Sequence, residues 1–120
     1  MRMMVVDDSN IIRRQIMRAM ALESVEIVAD AGNGLEALNH FKSKTPELVT
    51  MDLTMPELDG IGCIEQIMQQ RPETRILVIS ALADKETALE ALKKGAHGFL
   101  CKPFSETELN EALKELIKDE

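Results

Sequence analysis

Four short apolar runs in this chain each stop at a residue able to do chemistry. Met3 to Val6 stops at Asp7-Asp8, Leu48 to Met51 at Asp52, Ile76 to Ile79 at Ser80, and Gly98 to Cys101 at Lys102-Pro103. Singly, each has an ordinary explanation: Asp52 as a helix cap or loop acid, Asp7-Asp8 as a solvated pair, Ser80 as a strand-end cap, Lys102 as a surface lysine. Together they suit one task. Carboxylates brought close repel one another, and ionising all of them without a counter-charge is costly. A hard divalent cation such as Mg2+ resolves this, because it takes oxygen ligands and usually binds one or two carboxylates plus phosphate oxygens. Ser80 adds a hydroxyl donor, and Lys102 an ammonium suited to a phosphoryl oxygen. Such a set can hold a transferring phosphoryl group, with a carboxylate as the nucleophile.

The elements that must position these groups follow from periodicity. After the first apolar run, Ser9-Asn10 offers N-cap side chains, and Ile12, Ile16, Ala19 and Met20 share one helical face. Val25 to Ala29 reads as a second strand, and Asp30 to Gly34 as a loop by composition. Leu35, Leu38 and Phe41 mark a second helix, closed off by Pro46. The Asp52 run is the third strand, stiffened by Pro56 and followed by the turn signal Asp59-Gly60. Ile61, Ile64, Ile67 and Met68 give a third helix before Pro72. Asp84 caps a fourth helix carrying Ala88, Ala91 and Leu92, with Gly95 past its end. Ser105 and Glu108 form a capping-box pattern ahead of the stripe Leu109, Ala112, Leu113, Leu116 and Ile117.

Strand and helix thus alternate five times with short connections. That predicts an α/β domain whose five-stranded parallel sheet is covered by helices on both faces. Right-handed crossovers favour the doubly wound, flavodoxin-like order 2-1-3-4-5. In that order the first and third strands are neighbours at the topological switch point, beyond whose carboxyl ends such sheets bind ligands. Asp7, Asp8 and Asp52 are therefore expected in one crevice.

The bulk composition narrows the function classes. A chain of 120 residues makes one domain, taken as 1–120. With 14 basic and 21 acidic residues the net charge is −7, which disfavours nucleic acid or an anionic membrane surface as a direct partner. No run approaches the ~18 apolar residues of a membrane span, and the N-terminus is too short a run for a signal peptide, so a cytoplasmic location is expected. Cys63 and Cys101 lie outside any C-x-x-C motif and are expected to be buried apolar residues in a reducing compartment. His40 and His97 stand apart from other metal-ligand residues and read as surface or boundary positions.

Val5-Val6-Asp7-Asp8-Ser9, Met51-Asp52-Leu53-Thr54-Met55-Pro56-Glu57-Leu58-Asp59-Gly60, Ser80-Ala81 and Lys102-Pro103-Phe104 resemble the receiver domain of bacterial two-component response regulators, in order and at matching spacing across nearly the whole chain. With no output domain in view, the chain resembles the stand-alone, CheY-like kind. The resemblance implies that Asp52 is the phosphoacceptor for a phosphohistidine on a sensor histidine kinase. It implies that Asp8, Asp52 and the Thr54 backbone carbonyl hold Mg2+, with Asp7 acting mainly through water. Ser80 follows the phosphoryl group, Lys102 pairs with it, and the Lys102-Pro103 bond is cis. A downstream target is expected on the face formed by the fourth helix, fifth strand and fifth helix, in chemotaxis-type signalling by a monomer or weak dimer that is not an enzyme beyond its own phosphotransfer and dephosphorylation. There are departures. Phe99 stands where the family often has Tyr, so its switch position offers bulk without a hydroxyl. Thr54 and Leu82, at two positions that tune phosphoryl lifetime, are uncharged, and Leu58 replaces a common Met at similar volume.

Three other readings compete. An aspartyl-phosphate phosphatase of the haloacid-dehalogenase type would place a second acid two residues after the nucleophile, where this chain has Thr54. A flavodoxin-like binder of flavin mononucleotide would need hydroxyls and glycines where Asp7-Asp8 repels a phosphate. A receiver domain detached from a larger regulator would continue into a linker, whereas Lys118-Asp119-Glu120 follows directly on the last helical stripe.

Overall fold

The computed structural model describes residues 1–82 and 84–118; Ala83 and the terminal Asp119-Glu120 lie outside the described residues. Five strands alternate with five helices: β1 (Arg2–Val6), α1 (Asn10–Ala19), β2 (Glu26–Ala31), α2 (Gly34–Lys44), β3 (Leu48–Met51), α3 (Gly60–Gln70), β4 (Arg75–Ser80), α4 (Lys85–Lys94), β5 (Gly98–Cys101) and α5 (Glu106–Ile117). All strand pairs are parallel, in the order β2-β1-β3-β4-β5. This is the expected doubly wound, flavodoxin-like sheet.

Alternation along the central strands feeds two cores. Met3, Val5, Leu48, Leu77 and Ile79 pack with Ile16, Leu109 and Leu113 on the side of α1 and α5. Met4, Val6, Val49, Met51, Ile76 and Val78 pack with Phe41, Ile64 and Ile67 on the side of α2 and α3. Every helix starts on a side-chain cap that accepts a backbone N–H: Ser9, Asn33, Asp59, Asp84 and Ser105, the last in a complete capping box with Glu108.

Four details differ from the sequence reading. β2 runs on through Asp30 and Ala31, because Val5 and Val6 pair with them in register. On α2 the core face is Gly34, Ala37 and Phe41, and Leu35 is 53% exposed. A Cβ at Gly34 would overlap the Leu58 backbone carbonyl, so the helix start is pressed against Leu58 and its phase turns Leu35 outward. On α4 only Ala91 is buried, leaving Leu92 exposed. Cys63 is buried as expected, but Cys101, at the open end of the edge strand β5, is exposed.

Gly60 holds the loop after β3 close to the sheet. Its N–H donates to the Leu53 carbonyl at 3.0 Å, and a Cβ there would overlap the Asp52 carbonyl and come within 2.6 Å of Leu53 Cα. Thr50, one residue inside the end of β3, is 1% exposed, and its Oγ1 has no hydrogen-bond partner among the described residues. Burying an unpaired hydroxyl costs stability that a methyl of the same shape avoids. Thr50→Val should therefore raise the unfolding free energy by about 1 kcal/mol in urea melts; a loss of stability would show that the hydroxyl has an unrecognised partner.

Candidate functional site

Asp7, Asp52 and Lys102 each sit one position past a strand end, held there by one further ladder-type bond. Asp7 N–H donates to Ala31 O at 3.0 Å, Asp52 N–H to Val6 O at 2.9 Å, and Lys102 N–H to Ser80 O at 2.9 Å. The backbone that aims these side chains is thus as fixed as the sheet itself. One carboxylate oxygen from each of Asp7, Asp8 and Asp52 lies within 4.8 Å of the others. Asp7 and Asp52 are buried, at 1% and 5% exposure, and Asp8 is exposed at the rim.

Lys102 reaches over β4 from the end of β5 to meet them. Its Nζ lies 2.7 Å from Asp7 Oδ2 and 3.6 Å from Asp52 Oδ1. Asp7 Oδ1 accepts the Ser9 N–H at 2.9 Å, so both oxygens of Asp7 are engaged. The Lys102-Pro103 peptide is cis, as the resemblance implies. Burial raises the Asp52 carboxyl from the ordinary 3.8 to about 6; the Asp7 charge pushes the same way, while Lys102 and the Thr54 backbone N–H oppose it. Ser80 is 1% exposed, and its Oγ accepts the Leu82 N–H at 3.0 Å, leaving the hydroxyl proton free to be donated elsewhere. Phe99 is half-buried on the α3 side of β5. Thr54 is exposed in the loop beyond Asp52.

The structure therefore brings Asp7, Asp8, Asp52 and Lys102 into one site, with Ser80 and Thr54 on the adjoining strand end and loop. Two buried carboxylates and one exposed carboxylate facing a single lysine make a donor set of hard oxygens, which fits a small divalent cation. The sequence reading passed over Arg13. Its guanidinium donates to the Asp7 carbonyl at 2.6 Å, to Asp30 Oδ2 at 2.9 Å and to Asn10 Oδ1 at 2.9 Å. The available signal was a basic residue in the first turn of the helix that follows Asp7-Asp8.

Comparison with known proteins identifies the class. The family model for the response regulator receiver domain matches residues 3–114, and the chain belongs to that family, the receivers of two-component systems. The chain is 36% identical over 118 residues to the chemotaxis protein CheY of Listeria monocytogenes, covering 98% of this chain and 99% of that protein. It is 37% identical over 110 residues to the transcriptional regulatory protein YhcZ of Bacillus subtilis, covering 91% of this chain and 51% of that protein. Among solved structures, CheY in the CheX-CheY-BeF3-Mg2+ complex from Borrelia burgdorferi superposes with a TM-score of 0.93 at 30% identity, over 98% of this chain and 90% of that one. No helix among the described residues is long and apolar enough to cross a membrane.

The electrostatic load on Asp52 has a pH signature. Folded, its carboxyl holds a proton up to about pH 6; with the ordinary value of 3.8 the unfolded chain loses it two units lower. Between these values the folded state binds more protons, so this group's contribution to stability falls as pH rises through the window and stays low above it. Asp52→Asn removes that contribution. Without divalent cations the variant should be the more stable at pH 7, by up to about 3 kcal/mol, with the gap closing toward pH 4. Denaturant melts across that range check this; a variant less stable at pH 7, or a gap independent of pH, contradicts it.

Proposed function

We propose that this chain is a phosphoryl-operated switch. Asp52 accepts a phosphoryl group from a phosphohistidine on a sensor histidine kinase, and the modified domain presents α4, β5 and α5 to a downstream protein. The observation that carries this reading is the position of Lys102, whose single ammonium is shared by Asp7 and Asp52 at the edge of a three-carboxylate cluster. A surface lysine or a structural ion pair does not require a third acid beside it.

The residues divide the work. Asp52 Oδ attacks the phosphorus; the O–P bond forms as the bond from phosphorus to the histidine nitrogen breaks, and the imidazole leaves with that electron pair. Burial strips water from the Asp52 carboxylate, and at neutral pH a group titrating near 6 is mostly ionised and able to attack. Lys102 neutralises the incoming phosphoryl oxygens, its long stem spanning from β5. Asp8, Asp52 and the Thr54 backbone carbonyl would hold Mg2+, which when bound would supply further charge neutralisation. Asp7 would act on the ion mainly through water, in keeping with both its oxygens being engaged by Ser9 and Lys102.

The readout starts at Ser80. Its hydroxyl proton is available to a phosphoryl oxygen on Asp52, and moving toward it draws in the loop that Leu82 N–H now ties to Ser80 Oγ. Phe99 then fills the space beneath, held by burial alone, of order 1.5–3 kcal/mol if complete. Leu89 and Leu92, exposed at 47% and 45% on α4, give the responding face apolar contacts for a partner. The likeness to the chemotaxis protein CheY over nearly the full length of both chains supports chemotaxis-type signalling, with a cytoplasmic location and a monomer or weak dimer as part of the proposal. Thr54, in place of a second acid, speaks against phosphatase chemistry, and turnover is confined to the domain's own phosphotransfer and dephosphorylation.

Acetyl phosphate with Mg2+ should add one phosphoryl group to the wild type, seen by intact mass and mapped to Asp52, and none to Asp52→Asn. Equal labelling of the variant, or a label on another residue, would overturn the assignment.

A further inference from the structure

We propose that Arg13 is a positioning residue for the acid cluster: it fixes the Asp7-Asp8 peptide and so sets the direction of the Asp8 carboxylate. The inference deepens the reading of the site as a cation-assisted phosphoryl acceptor and rests on it. Arg13 belongs to the first turn of α1, where its N–H makes the opening helical bond to Ser9 O at 2.9 Å. Its side chain is only 15% exposed and turns back across the sheet end. All three guanidinium nitrogens are used, each on a different segment. Nη1 donates to the carbonyl of Asp7 beyond β1, Nε to Asp30 Oδ2 in β2, and Nη2 to Asn10 Oδ1 at the start of α1. Gly32 lets the chain after β2 pass close by, since a Cβ there would sit 3.1 Å from Nη1.

The consequence falls on Asp8. Asp7 is already held at its N–H by Ala31, at Oδ1 by Ser9 and at Oδ2 by Lys102. Its carbonyl is the remaining polar group, and that carbonyl shares a rigid peptide plane with the Asp8 N–H. A donor fixed on the Asp7 carbonyl therefore fixes where the Asp8 Cα begins. Asp8 is exposed, without the burial that orients Asp7 and Asp52, so this plane is what keeps its carboxylate within 4.8 Å of theirs. The fork geometry matters as well as the charge. A lysine has one nitrogen and cannot serve Asp7, Asp30 and Asn10 together.

The test is a Mg2+ titration followed by amide NMR shifts of the loop from Asp7 to Asn10, with Arg13→Ala, Arg13→Lys and Asp30→Asn, each checked for an intact fold by its melting curve. Arg13→Ala should weaken Mg2+ binding by about tenfold, the lower end of what loss of a residue supporting a metal ligand costs. Arg13→Lys should lose nearly as much, although it keeps the charge. Asp30→Asn, which removes the charge that Nε meets, should lose less in the same direction, so that one variant remains informative if Arg13→Ala fails to fold. Arg13→Lys with the wild-type affinity, or Asp30→Asn and Arg13→Ala both unchanged, would overturn the proposal. Failure of the underlying reading shows elsewhere, as a wild type that acetyl phosphate does not label at Asp52.

Discussion

One ammonium shared between two buried carboxylates is the constraint on which the rest of this molecule depends. Lys102 lies 2.7 Å from Asp7 and 3.6 Å from Asp52, and a third acid, Asp8, stands beside them. One positive charge does not balance three negative ones, and the Asp7 and Asp8 charges add to the burial that is the main cause of the raised Asp52 carboxyl. Such an arrangement persists only where the backbone leaves no choice. Here Asp7, Asp52 and Lys102 are each pinned to the neighbouring strand by a bond beyond the sheet proper: Asp7 to Ala31, Asp52 to Val6, Lys102 to Ser80. The sheet supplies the rigidity, and the hydrophobic layers on its two faces supply the stability that offsets the repulsion at its end.

The same imbalance explains how a fixed scaffold can act as a switch. Under the proposed function a cation would relieve the repulsion, and a phosphoryl group on Asp52 would restore negative charge there while adding acceptor oxygens that the carboxylate alone lacks. Ser80 and Lys102 adjoin across the end of β4 and β5 and are linked through backbone. A demand for new hydrogen-bond donors therefore falls on both at once. The elements between those two residues are loosely anchored: α4 buries only Ala91, and β5 is an edge strand, with its side chains half-buried or exposed. Loose packing next to a rigid charged site is where a small electrostatic change moves structure.

Much of this was legible in the sequence because strand-end chemistry is local. A short apolar run that stops at an acid, a hydroxyl or a lysine places that group at the sheet's carboxyl edge, and parallel topology does the rest. Asp7, Asp8, Asp52, Ser80 and Lys102 could be read this way. What was not legible depends on packing between elements. Leu35 fits a helical stripe as well as Ala37 does, and only the close approach of Gly34 to Leu58 decides which faces inward. Asp30 has loop chemistry, yet pairing with Val5 draws it into β2. Cys101 follows the apolar composition of a buried strand, but among the described strands β5 pairs on one side only. Arg13 lies on the polar face of its helix, and nothing in the sequence says that three segments converge on it.

The central claim is that the three carboxylates are held together against a repulsion that Lys102 only partly offsets, leaving the site short of positive charge. The most direct measurement is the melting temperature of the wild type at neutral pH, in chelator and then in millimolar Mg2+. A ligand that binds the folded state alone stabilises it in proportion to the logarithm of its concentration over its dissociation constant. The account predicts a clear rise with Mg2+, increasing with its concentration, and little from a monovalent salt at the same ionic strength. A melting temperature that Mg2+ leaves unchanged, or that both salts raise equally, would contradict it.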